Sequence, residues 1–202
     1  MAYSDFKTLA QIEKTFGIKS RLVEMFASIA PLEPSEKLQA DLLEARGFPI
    51  KSEKARSEWL VVPILKELRR RNDNFFTIYS GDSLNVDEAR GLKGECDFII
   101  ARDTGSLEVS APLLQIVEAK KNDMDIGLPQ CAAQMLGSKI FNQQNDAPLD
   151  AIYGCVTTGD DWLFLKLEDE LLVDTRKYYL GTLGELLGVF QHIIDLFRNK
   201  AA

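Results

Sequence analysis

The chain has 202 residues, of which 46% are hydrophobic and 27% charged, and its formal net charge is −7. That composition suits a globular protein with one good core, and the acidity excludes a surface that attracts nucleic acid over its whole extent. No uninterrupted apolar run approaches the roughly 18 residues that cross a bilayer, so no membrane attachment is expected.

Residues 4–30 carry apolar positions at helical spacing: Phe6, Leu9, Ile12 and Phe16, then Leu22, Val23, Phe26 and Ile29. Gly17 divides them, which predicts two short helices. Ser35 caps a third helix that runs to about Arg46 and stops at Gly47 and Pro49. Residues 1–50 therefore read as a helical N-terminal extension without a chemical motif. The start of the chain is amphipathic and mixed in charge, unlike a secretory signal.

Residues 51–202 read as the main domain. The spacing predicts a helix over 51–71, capped by Ser52, with Trp59, Val62, Leu65 and Leu68 on its apolar line. Pro63 removes a backbone donor and should kink it. Three strand-like runs follow, "FFTIYSG", "CDFIIARD" and "LLQIVEAKK", separated by glycine- and aspartate-rich turns. A helix over "DIGLPQCAAQMLGSKIFNQQ" comes next, with Pro129 expected in its first turn. "AIYGCVTT", "DWLFLKLE" and "ELLVDTRKYYL" read as further strands, the last two as a hairpin. A leucine-rich helix closes the chain. This order predicts an α/β protein with a mixed β-sheet flanked by helices.

Cys96, Cys131 and Cys155 are odd in number and lack paired spacing, as expected of reduced thiols in a cytoplasmic protein. The single histidine, His192, lies in the apolar stretch "LGVFQHIIDLF", where packing is its expected role. One histidine without a CxxC does not make a structural zinc site.

The third strand-like run ends in Glu118, Ala119, Lys120 and Lys121. Residues i and i+2 of a strand share a face, so Glu118 and Lys120 point together and Lys121 points away. Alone, this pair reads as a surface ion pair worth roughly 0–1 kcal/mol. The preceding run begins beside Asp97. If the two strands are antiparallel neighbours, Asp97 meets Glu118 and Lys120. Two converging carboxylates suit an oxygen-preferring cation such as Mg²⁺, and a lysine beside it can offset charge on a phosphate.

On these residues the chain resembles the PD-(D/E)XK nuclease superfamily, in particular RecB-like domains and the N-terminal domains of type I restriction R subunits. The resemblance covers about residues 52–160. It matches Asp97 to the acid of the second core strand, Glu118-Ala119-Lys120 to the (D/E)-x-K element, Glu58 to the glutamate of the first helix and Gln130 to the glutamine of the next. It implies a restriction-endonuclease-like fold and an endonuclease that hydrolyses DNA with Mg²⁺, or Mn²⁺ in its place, in restriction, repair or mobile-element defence. The catalytic set it implies is Glu58, Asp97, Glu118, Lys120 and Gln130. Asp97, Glu118, the Ala119 carbonyl and Glu58 would hold the metal. The chain departs from the family pattern in having Cys96 before Asp97, a long Ala101–Leu113 loop and glutamine at Gln134, where relatives often carry an aromatic residue.

Residues 51–71 hold seven basic and three acidic residues on an acidic chain. Arg69, Arg70 and Arg71 suit the negative end of a helix. Arg69, Arg70, Lys121 and Gln134 also become expected phosphate contacts. A homodimer or larger complex is the expected assembly. The competing expectation is a catalytically silent domain of the same fold that binds nucleic acid or a protein partner.

Overall fold

The computed structural model describes residues 1–200. In chain order it has a 3-10 turn (Tyr3–Asp5), α1 (Leu9–Phe16), β1 (Ser20–Val23), α2 (Glu36–Ala45), α3 (Glu53–Arg56), a π turn (Ser57–Val61) and α4 (Val62–Arg71). Then come β2 (Phe76–Ser83), β3 (Glu95–Arg102), β4 (Leu113–Ala119), α5 (Met124–Gln144), β5 (Ile152–Thr157), β6 (Asp161–Leu167), β7 (Leu171–Tyr179) and α6 (Leu183–Lys200). The strands form one mixed seven-stranded sheet in the order β1-β7-β6-β5-β4-β3-β2.

The apolar runs become strands because both faces of the sheet are covered. Every residue of β4 and β5 is buried, as expected of central strands between helix layers. On one face, Ile99, Ile116 and Leu165 meet Met135 of α5 and Ile12 of α1. On the other, Phe98, Val117 and Phe164 meet Leu65 of α4 and Phe190 of α6. β4 and β5 are parallel and α5 makes the crossover between them, a connection that parallel neighbours require. β5, β6 and β7 form an antiparallel meander, which includes the predicted hairpin.

Several expectations change. The second helix predicted before residue 30 is instead β1, paired in parallel with β7 from Ser20 against Leu171 to Val23 against Asp174. Residues 1–50 are built into the core: Tyr3, Phe6 and Ile12 are buried on the α5 face and Phe26 and Leu38 on the other. Pro63 falls in the first turn of α4, where a missing donor is tolerated. The disturbance takes the form of the π turn, in which the Val62 N–H reaches back to the Ser57 carbonyl. Pro129 lies inside α5 rather than in its first turn, because Asp123 caps that helix and it begins at Met124.

By length and hydropathy alone, residues 180–199 could cross a membrane. Here Leu186, Leu187, Phe190 and Ile193 are buried against the sheet, as in a core helix. His192 makes an edge contact with Phe26, centroids 6.0 Å apart, which is the packing role expected of it.

Candidate active site

β3 and β4 are antiparallel, with Phe98 opposite Val117 and Ile99 opposite Ile116. One step beyond that ladder, Asp97 stands beside Glu118, on the face that Ile99 and Ile116 present to α5. The Asp97 carboxylate accepts the Ala119 N–H (2.8 Å), which locks the two strand ends together. The Lys120 N–H donates to the Thr157 carbonyl at 2.7 Å, so the backbone stays ordered against β5 past the end of β4.

Glu118 is 1% exposed and both its oxygens are occupied. Oε1 accepts the Lys120 ammonium at 2.5 Å. Oε2 accepts the Gln134 amide at 2.8 Å, from a side chain of α5 that is itself fully buried. The predicted meeting of Asp97, Glu118 and Lys120 is therefore present. A further device holds the lysine. Gly127, in the first turn of α5, lies so close that a Cβ there would stand 2.9 Å from Lys120 Cγ and 2.7 Å from Val156 Cγ1. Only glycine lets α5 approach the strand ends this closely.

Burial and the neighbouring Asp97 push the Glu118 carboxyl up to about 7, against the opposing pull of Lys120 and Gln134. Burial also raises Asp97, although the Ala119 N–H and Lys120 favour its charged form. For Lys120, burial favours the neutral amine, but Glu118, Glu53 and Asp97 outweigh it and raise its pKa. The lysine is a cation surrounded by carboxylates.

Glu58 lies apart from the Asp97–Glu118–Lys120 group. That side chain is exposed, pairs with Lys54 at 3.8 Å and borders a surface groove with Phe48 and Trp59. Glu53 is the helix glutamate that reaches the group. It lies 3.9 Å from the Lys120 ammonium and accepts the Lys121 N–H at 3.1 Å. Glu53 is the first residue of α3, and Arg56 at the end of that helix donates to the Thr158 carbonyl beside the same strand ends.

Gln134, not Gln130, contacts Glu118. Gln130, one turn earlier, is half-buried and makes no hydrogen bond among the described residues. Arg69 and Arg70 do not line the site either. Arg69 donates to the Phe76 carbonyl and to Asp103, and Arg70 and Arg71 both hold the buried Glu67. Phe76 pairs with Arg102 at the far end of β3 from Asp97, about 17 Å away at the rise of a strand. With Arg56 bound to Asp160 as well, most of the basic charge of residues 51–71 is spent on structural pairs. Lys121 is exposed beside the site.

The three cysteines are buried free thiols, and burial raises each of them, which leaves none as a nucleophile. Trp162 is buried and donates to the Gly159 carbonyl. Trp59 stacks on Phe48 at the surface, 4.4 Å between centroids.

No protein-family model matches the chain, and no curated protein sequence matches it.

The carboxylate pair fits a divalent cation by its electrostatics. Asp97 and Glu118 are both raised by burial, and Glu53 and Glu95 add to the negative potential at Asp97, with Lys120 as the cation among them. No group of three or more His, Cys, Asp or Glu side chains converges as a metal cage among the described residues. Mg²⁺ needs no such cage, since it keeps several waters and takes one or two carboxylates.

Proposed function

We propose that the protein is a metal-dependent phosphodiesterase of restriction-endonuclease-like fold that hydrolyses DNA, in restriction, repair or mobile-element defence. The observation that carries this reading is the convergence of Asp97, Glu118 and Lys120 at one sheet end. Residues from two strands, 21 or more positions apart in the chain, meet there in the order and register of an acid and an (E)-x-K element.

Asp97 and Glu118, with the Ala119 carbonyl, would hold Mg²⁺ or Mn²⁺. A divalent ion so placed supplies Lewis-acid polarisation of a phosphoryl oxygen and makes a bound water more acidic. Lys120 keeps its proton in this setting, so its role is that of a fixed cation that offsets charge developing on the phosphate and orients the attacking water. Gln134 and Glu53 hold Glu118 and Lys120 in place from opposite sides. Lys121, exposed next to them, supplies a phosphate contact.

One observation favours a second reading. Both Glu118 oxygens already have partners within the protein, as in a domain that keeps the fold and binds nucleic acid or a protein without cleaving. Cleavage of single-stranded, duplex and branched DNA, with and without chelator, separates the two. The nuclease reading predicts Mg²⁺-dependent products that vanish in Lys120→Ala. Activity that survives Lys120→Ala removes the catalytic assignment. Binding of DNA without cleavage by any metal-loaded preparation supports the silent domain.

A further inference from the structure

Beneath the Glu118 site, the Tyr3 hydroxyl and Gln134 Oε1 are buried without a hydrogen-bond partner in the protein. Tyr3 is 1% exposed and Gln134 fully buried. Tyr3 packs against α5, the helix that carries Gln134. The Tyr3 ring lies over Gly137, and a Cβ at that position would collide with its hydroxyl. Gln134 and Gly137 are three residues apart on one helix, so they share a face with Cβ positions about 5–6 Å apart. Gln134 in turn donates to Glu118, so the Tyr3 hydroxyl stands about one helix turn from the residue that holds the site's carboxylate.

The two unpartnered atoms are chemically complementary. A carboxylate only accepts, so Gln134 offers its NH₂ to Glu118 and its free atom is an acceptor. Tyr3 offers a donor. Buried polar groups of this kind are characteristically joined by water.

We propose that the Tyr3 hydroxyl donates to a buried water that in turn donates to Gln134 Oε1, which makes Tyr3 a positioning residue for the Gln134–Glu118 contact. An amide presents oxygen on one side and NH₂ on the other. A donor held against the oxygen fixes which side faces Glu118; a flipped amide would set its oxygen against the carboxylate. The first residues of the chain are thereby coupled to the site, and the 3-10 turn at Tyr3–Asp5 is a part of its foundation. The consequence for metal binding rests on the nuclease reading; the hydrogen-bonded relay does not.

The test uses the full chain with ¹⁵N-labelled glutamine. In Tyr3→Phe the Gln134 side-chain amide protons should exchange roughly five- to tenfold faster, the scale of one lost hydrogen bond. In the wild type the same protons should show a magnetisation-transfer peak to a long-lived water, a measurement that needs no variant to fold. Mg²⁺ affinity by calorimetry should weaken by a similar factor in Tyr3→Phe, and Tyr3→Phe should have no further effect in a Gln134→Met background. Unchanged exchange in Tyr3→Phe, or no water peak in the wild type, overturns the inference regardless of metal binding. Faster exchange with a wild type that binds no Mg²⁺ supports the relay and counts against the nuclease reading instead.

Discussion

Glu118 and Glu67 are buried to nearly the same degree, 1% and 2% exposed, yet their carboxyls shift in opposite directions. Burial pushes Glu118 up, and Asp97 adds to it, so that the group comes to about 7. Burial would also push Glu67 up, but hydrogen bonds from Arg70, Ser35 and Arg71 outweigh it and bring it down to about 2. The difference lies in the depth of the surrounding protein as well as in the partners. Glu67 has two guanidiniums, a hydroxyl and the Ser35 N–H to itself. Glu118 has one ammonium and one amide, and shares the lysine with Asp97 and Glu53. The first is a neutralised anchor between α2 and α4. The second shares one ammonium among three carboxylates, the setting in which the proposed cation would bind.

The largest expected effect separates these two roles. Lys120→Ala should lower DNA cleavage per folded molecule by about a hundredfold to a thousandfold, as for removal of one fixed electrostatic group from an active site. Glu67→Ala should do the converse. It should cost about 2 kcal/mol of stability in urea denaturation, because Arg70 and Arg71 lose their shared acceptor while keeping partial access to water. Cleavage per folded molecule should be unaltered.

Much of this was legible in the sequence, and the misses have physical causes. The central strands were legible because largely apolar runs such as "FIIA" and "LLQIV" need cover on both faces. The Asp97–Glu118–Lys120 group followed from strand alternation and one antiparallel pairing. β1 was not legible: "SRLV" is four residues long and mostly exposed, so its pairing with β7 rather than its own pattern makes it a strand. Glu53 was passed over for Glu58 because helical periodicity does not say which residue of a helix meets the sheet end. The arginine cluster was open to a better reading. Glu67 precedes Arg70 and Arg71 by three and four residues, the spacing at which helix side chains pair.

The pH dependence of stability should carry both signs. The folded-state pKa of Glu67 lies below its ordinary 4.5, so its contribution is present above 4.5 and is lost as pH falls toward about 2. The folded-state pKa of Glu118 lies above 4.5, so the folded protein holds that proton more tightly. Its contribution is present below 4.5 and fades as pH rises through about 7. Urea titrations across pH 2–8 should therefore show an acid-side loss that Glu67→Gln flattens and a neutral-side decline that Glu118→Gln flattens. Two flattened slopes on the same side would remove the contrast.

A smaller effect sharpens the placement of the helix glutamate. Glu53→Gln should weaken cleavage by about tenfold through a less restrained Lys120, whereas Glu58→Gln should leave it within about twofold, the scale expected of an exposed pair. Equal losses in the two variants would return Glu58 to the site.

The central claim is that Asp97 and Glu118 together retain unbalanced charge for a divalent ion. Calorimetric titration of Mn²⁺ into the metal-free full chain at neutral pH tests it most directly, with Glu118→Gln alongside. The account predicts saturable binding by the wild type and its loss in the variant. Equal binding by both proteins, or no binding by the wild type, would contradict it.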